Sequence, residues 1–282
     1  MKVIFIQILV ISLVGVQTIK AQETISAGAR HKIFSKALKE EREYWIYMPK
    51  LNPDKKYPIL YLLDGDTFYH TVVGITGLLA SSKVSSLEPC IVVAVLNTDR
   101  ERDMTPTSSA AQRDGTINPH DQPHGGGAEA FHSFLIKELR PMVEKQTPAN
   151  GQNILVGHSY AGLFSLHVLL NHPESFDAYL AIDPSLWWDR GYIMNQAKNF
   201  QSQQQFNNKK LYVAFATKPR PGKKLINTSL LDTFEDAVVP IMEQKKLQTI
   251  TRRFPQETHG TIAIPGIYDG LKSLYFIRDA DR

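Results

Sequence analysis

Residues 157–162 read Gly157-His158-Ser159-Tyr160-Ala161-Gly162, after the apolar run Asn153-Ile154-Leu155-Val156 and before Leu163-Phe164-Ser165-Leu166-His167-Val168-Leu169-Leu170. A serine held between small residues, with a buried strand behind it and a helix ahead, has the layout of a nucleophile elbow. Such a turn needs small neighbours because the backbone doubles back and strand and helix pass closely. Gly157, Ala161 and Gly162 meet that demand. The common G-x-S-x-G pattern has glycine where this chain has Ala161, a departure of one methyl group. A serine that merely caps a helix would occupy the same place. At this position the helix dipole and free N–H groups favour developing negative charge. The N–H of Tyr160 is the natural first donor of an oxyanion hole.

Outward from the elbow, strand-like and helix-like segments alternate. Pro58–Leu63, Cys90–Leu96, Asn153–Val156, Ala178–Ile182 and Leu211–Ala216 are continuous apolar runs, the pattern of strands buried on both faces of a parallel sheet. His31–Leu38 and Glu43–Pro49 alternate polar and apolar as an antiparallel pair, and Gln248–Phe254 alternates again as a last strand. Helical spacing marks Ala128–Lys145, Ser229–Lys246 and Ile262–Arg278, with Pro141 predicting a kink or early end in the first. The fold class expected is α/β: an open, mostly parallel sheet of about eight strands with helices on both faces. Ligands of such sheets collect beyond the carboxyl ends of the strands.

The chain has 282 residues, 43% hydrophobic and 21% charged, enough for one domain with a sizeable core. Its first residues read differently. Met1-Lys2 is positive, Val3–Val16 is almost wholly apolar, and a polar stretch with small residues follows to Gln22. This is the layout of a secretory signal peptide, placed at residues 1–22 with the α/β domain at 23–282. The apolar run is short for a membrane span. The expected location is therefore secreted or periplasmic. The formal charge of +4 falls by Lys2 and Lys20 with the leader, and there is no basic block, so nucleic-acid binding is excluded as a function class. The single Cys90 lies in an apolar run and forms no internal disulfide.

Three further positions complete a hydrolase reading. His259, in Pro255-Gln256-Glu257-Thr258-His259-Gly260, follows the last strand and is placed as the general base. The acid should follow the run Leu211–Ala216. Asp232 is favoured; Glu235, Asp236 and Glu257 are rivals, and a serine–histidine pair without an acid stays open. The loop Asp64-Gly65-Asp66-Thr67 after the run Ile59–Leu63 would bring the N–H of Asp66 as second oxyanion donor, with Gly65 allowing the tight turn. Trp187 and Trp188 could wall the pocket or cap the core. Arg100 could meet an anionic substrate or, with Arg102, pair with Asp99, Glu101 and Asp103. His120, Asp121 and His124 on the loop Asn118–Gly127 are weak evidence for a metal; the loop reads as mobile, near the pocket. No metal and no cofactor are expected.

The segments Tyr57–Asp66, Asp99–Pro106, Gly125–Leu135, Gly157–Gly162, Asp183–Asp189 and Thr258–Thr261 occur in this order. Together they resemble the α/β-hydrolase esterase family that contains esterase D and the ferric-siderophore esterases. The resemblance runs from about Arg30 to about Ile277. It implies an α/β-hydrolase fold and serine ester hydrolysis, with Ser159 as nucleophile and His259 as base. Ala161 and the lack of an unambiguous acid are the departures; some siderophore esterases of this kind are thought to use a serine–histidine dyad. The expected partner is a small-molecule ester, such as a ferric siderophore lactone or an acylated sugar, with no nucleic acid and no stable membrane insertion once the leader is removed. The contrasting reading is a non-catalytic exported binding module on the same fold. It would normally have lost the serine or the histidine, and both are present.

Overall fold

The computed structural model describes residues 27–50, 52–81, 88–198, 206–219 and 228–276. The predicted leader lies outside the described residues. Among them, no helix is long and apolar enough to cross a membrane.

One sheet carries the structure. Strands β1 (Ala29–Ser35) and β2 (Glu40–Tyr47) form the antiparallel pair at one edge. Inward come β3 (Tyr57–Leu62), β4 (Ile91–Val95), β7 (Ala149–His158), β8 (Ala178–Ile182), β9 (Lys210–Ala216) and β10 (Gln248–Phe254), with a separate two-residue ribbon formed by β5 (Ser108–Ser109) and β6 (His124–Gly125). The order is β1-β2-β4-β3-β7-β8-β9-β10, antiparallel through β2–β4 and parallel from β4 onward. This matches the expected eight-stranded, mostly parallel sheet. The first strand ends three residues earlier than its sequence pattern suggested, because Ser35 Oγ accepts the Leu38 N–H and Lys39 turns the chain at φ 58°.

The apolar runs are apolar because they face helices on both sides. On one face pack α3 (Ala128–Phe134), α4 (Arg140–Gln146), α5 (Tyr160–Asn171), α6 (Trp188–Lys198), α7 (Thr228–Thr233) and α8 (Val239–Gln244), around Phe131, Phe164, Val213 and Phe234. On the other pack α1 (Gly65–Ala80) and α9 (Ala263–Phe276), around Val72, Leu180, Ile267 and Leu271. The remaining helix, α2 (Arg100–Met104), is a short turn beyond β4.

Pro141 does not end its helix. A wide five-residue π turn, Leu135–Leu139, joins α3 to α4, and a second, Phe234–Val238, joins α7 to α8 just before Pro240. A proline inside a helix removes one backbone donor and crowds the preceding turn. Widening that turn accommodates the ring while the helix continues.

Candidate active site

The elbow follows from three local facts. Ser159 sits at φ 63°, ψ −116°, a conformation non-glycine residues rarely adopt. It is held there from both sides: its N–H donates to Ile182 O at 2.9 Å, and its carbonyl accepts from Leu163 at 2.9 Å and Ser185 at 3.1 Å. Such strain persists only when the surroundings over-determine it. Gly157 has no alternative, since a Cβ there would lie 2.3 Å from the carbonyl oxygen of Ala161. The methyl of Ala161 itself is fully buried, so alanine in place of the commoner glycine fits this elbow.

Ser159 Oγ lies 3.0 Å from His259 Nε2, and His259 Nδ1 lies 2.6 Å from Asp183 Oδ2. Asp183 accepts at Nδ1, so Nδ1 carries the proton and Nε2 is the acceptor facing the serine. The carboxylate that meets His259 is therefore that of Asp183 and not that of Asp232, where the sequence had placed the acid. Asp232 is on the exposed side of α7, bound to Arg253 at 2.6 Å, and Glu235 is held by the same arginine. Asp236 is exposed. Glu257 serves through its backbone, its carbonyl accepting the Lys218 N–H.

Sheet register explains this correction. His158, the last residue of β7, is paired with Ile182, the last residue of β8. Ser159 and Asp183 thus leave neighbouring parallel strands at the same level. Asp183 turns at φ 42°, its N–H donates to Ala214 O at 2.7 Å, and its Oδ1 accepts from Ala216 N at 3.0 Å. The carboxylate is locked before the histidine arrives. His259 comes from the loop after β10, closed by Thr258 and Thr261, and reaches across β9 to both partners.

Two partners were not singled out in the sequence. His158 donates Nε2–H to the carbonyl of His259 at 2.9 Å, and the two rings lie 4.8 Å apart. Burial, with the nearby His259, pushes His158 down to about 4, so it is neutral near pH 7. Ser185 Oγ lies 3.3 Å from Ser159 Oγ.

The loop after β3, expected to supply the second oxyanion donor, is organised by a buried carboxylate. Asp64 takes the left-handed turn (φ 54°) that the sequence suggested for Gly65; Gly65 is needed instead for closeness, since a Cβ there would meet Ala94 at 2.8 Å. Asp64 accepts from Arg100 through two bonds of 2.6 and 2.8 Å and from Asn97 at 2.8 Å. Arg100 also donates to the His158 carbonyl at 3.1 Å. The N–H of Asp66 heads α1 ahead of its first turn, whose opening bonds are made by Thr67 and Phe68; the N–H of Tyr160 heads α5 likewise.

The expected substrate contacts fall differently. Arg100 is engaged with Asp64 rather than with Asp99, Glu101 or Asp103, and its guanidinium lies 5.3 Å from the ring of Tyr160. Arg102 binds Glu40 and Asp103. Trp188 is 2% exposed and donates its indole N–H to Thr107, so it belongs to the core. Trp187 is buried in the same core rather than walling a pocket; it packs beside Tyr160, with the exposed Arg113 over its ring at 5.1 Å. The loop expected to be mobile is pinned at its end, where His124 pairs with Ser109 in the ribbon, contacts Glu101 and packs edge-on against Trp188.

This sheet, this elbow and the serine–histidine–aspartate line define an α/β-hydrolase. A family model described as "Putative esterase" matches residues 35–233, and the chain belongs to that esterase family. The ferri-bacillibactin esterase BesA of Bacillus subtilis is 30% identical over 192 residues, 63% of this chain and 65% of BesA. A siderophore enterobactin esterase of Emericella nidulans is 34% identical over 157 residues, 51% of each chain. The chain thus spans one half to just under two thirds of these relatives. An IroE-like serine hydrolase from Shewanella oneidensis superposes with a TM-score of 0.76 at 31% identity, covering 88% of this chain and 79% of the other.

Proposed function

We propose that this chain is an exported serine esterase that opens ester bonds of a siderophore lactone through an acyl-enzyme on Ser159. The observation that carries the reading is the line Ser159 Oγ–His259 Nε2–Asp183, at 3.0 and 2.6 Å, on a strained elbow. In this mechanism Ser159 Oγ attacks the ester carbonyl carbon as its proton passes to His259 Nε2. Asp183 holds the imidazole in the reactive tautomer and stabilises the imidazolium. The carbonyl oxygen, now negative, accepts from the N–H groups of Tyr160 and Asp66. Collapse breaks the ester C–O bond, and His259 gives its proton to the leaving alcohol. Water, deprotonated by His259, then releases the acid and restores Ser159.

The substrate class is supported by the relatives, several of which are siderophore esterases by name. Locally, the half-buried Tyr160 and Phe68 give an aromatic surface beside the elbow, and the exposed Arg113 adds a positive charge near Tyr160, over the buried Trp187. A ring-bearing anionic ester matches both features. Export rests on the charged and apolar pattern of residues 1–22. The test is hydrolysis of p-nitrophenyl esters, a ferric tris-catecholate trilactone and acetylated or feruloylated sugars by the mature chain. Trilactone turnover that exceeds the sugar esters and disappears in Ser159→Ala is the expected result. Turnover of every ester unchanged in Ser159→Ala would refute the catalytic assignment, and preference for sugar esters would refute the substrate class.

A further inference from the structure

The elbow helix α5 has a second chemical cluster at its far end. Its twelve residues put that end about 18 Å from Ser159. Glu129 and His132 stand three apart on α3, hence on one helical face. His167 lies in the last turns of α5, and His172 is the residue that ends it. Glu129 Oε1 accepts from His167 Nε2–H at 2.8 Å, and Oε2 accepts from His172 Nε2–H at 2.9 Å. Asn171 donates to His167 Nδ1 at 3.0 Å, which fixes the proton of that ring on Nε2. The rings of His132 and His172 are stacked at 4.0 Å, 11° from parallel.

One donor atom each from Glu129, His132 and His172 lies within 4.8 Å of the other two, the one such convergence of three His, Cys, Asp or Glu side chains among the described residues. Two imidazoles and a carboxylate are a zinc-type donor set. Tetrahedral binding at ordinary zinc distances needs donors about 3.4 Å apart. Closing to that spacing is a matter of turning His172 and Glu129, which are partly and largely exposed, while His132 stays anchored by Ser175 Oγ at 2.8 Å. Glu129 is largely exposed, so a water molecule has room to complete a four-coordinate set on that side.

We propose that Glu129, His132 and His172 bind a zinc-class divalent transition-metal ion, with His167 orienting the Glu129 carboxylate from behind. The ion cross-links α3 to the end of the elbow helix. It stabilises the fold and leaves the chemistry at Ser159 alone. The experiment is a titration of the metal-free full chain with Co²⁺, read by visible absorption, and with Zn²⁺, read by thermal unfolding. The expected result is one equivalent of bound Co²⁺ with ligand-field bands of a nitrogen–oxygen site, displaced by Zn²⁺, and a Zn²⁺-dependent rise in the unfolding midpoint. Glu129→Gln and His172→Asn should abolish both signals at unchanged ester hydrolysis. His167→Asn, which removes only the orienting bond, should weaken binding by about tenfold. Absence of both signals in the chain as it stands, or their persistence in the Glu129→Gln/His172→Asn double variant, would overturn the site and leave the cluster as a hydrogen-bonded clasp.

Discussion

His158 Nε2–H donates to the backbone carbonyl of His259 at 2.9 Å. The residue just before Ser159 therefore holds the loop that delivers His259. Removing this bond should let His259 wander from Ser159 without unfolding the protein. His158→Phe is expected to lower kcat by roughly fivefold, the effect of about 1 kcal/mol, with KM little changed. Steady-state kinetics on one p-nitrophenyl ester check this; an unaltered kcat would leave His158 as packing only.

The same residue sets a pH dependence. Burial, then the neighbouring His259, lowers His158 from the usual 6.5 to about 4. Between those values the unfolded chain binds a proton that the folded chain refuses, so stability falls as the pH drops through that window. Above pH 6.5 this contribution is constant. Urea unfolding at pH 7 and pH 5 should show a loss on acidification that is smaller in His158→Phe. An equal loss in both would contradict the coupling.

Asp183 and Asp232 can be separated directly. Asp183→Asn should leave the fold intact but cut kcat by about three to four orders of magnitude, since the imidazole loses the partner that selects its tautomer. Asp232→Asn should change kcat hardly at all, because that carboxylate faces Arg253 on the surface. The two single variants in one ester assay decide it, and a reversed outcome would restore Asp232.

The buried strands, the helices between them, the elbow and His259 could be read from sequence because each rests on local pattern: continuous apolar runs, three-and-four spacing, small residues around a serine. The acid could not be placed in the same way. Its position depends on which strand lies beside β7, and sequence order alone does not give spatial order. The available signal was Asp183 itself, ending the run Ala178–Ile182 and followed by Pro184. The partners of Arg100 were hidden for a related reason. Asp64 lies 36 positions away and is brought beside Arg100 by the β3–β4 pairing. The tryptophans were ambiguous because a pair after a strand can face either the pocket or the core, and Thr107, which takes the indole N–H of Trp188, is 81 positions away.

The Arg100–Asp64 pair gives a stability prediction. Asp64 is 3% exposed, and removing Arg100 leaves its carboxylate with Asn97 as the remaining side-chain donor. Arg100→Met should cost about 2 kcal/mol, less than a fully buried pair because the guanidinium is partly exposed. Lysine should not rescue it, having no fork for two parallel bonds. Chemical denaturation of both variants is the check, and full stability of Arg100→Lys would show the bidentate geometry to be dispensable.

Gly157→Ala tests the elbow itself. The added methyl would sit 2.3 Å from Ala161 O, so the turn must open. Stability should fall by several kcal/mol, as for other strained-turn substitutions, and activity should fall with it. A thermal unfolding curve unchanged from the parent would mean that the turn is looser than its geometry indicates.

The central claim is that Ser159 is the nucleophile, and the most direct measurement is covalent capture. The chain is treated with a fluorophosphonate, and the adduct is weighed and mapped by peptide mass spectrometry. The account predicts one phosphonyl group per chain, on Ser159, and none in Ser159→Ala or His259→Ala. Its neighbour Ser185, with its Oγ 3.3 Å away, provides the internal control. An adduct on Ser185, or an unlabelled chain that still hydrolyses esters, would contradict the account.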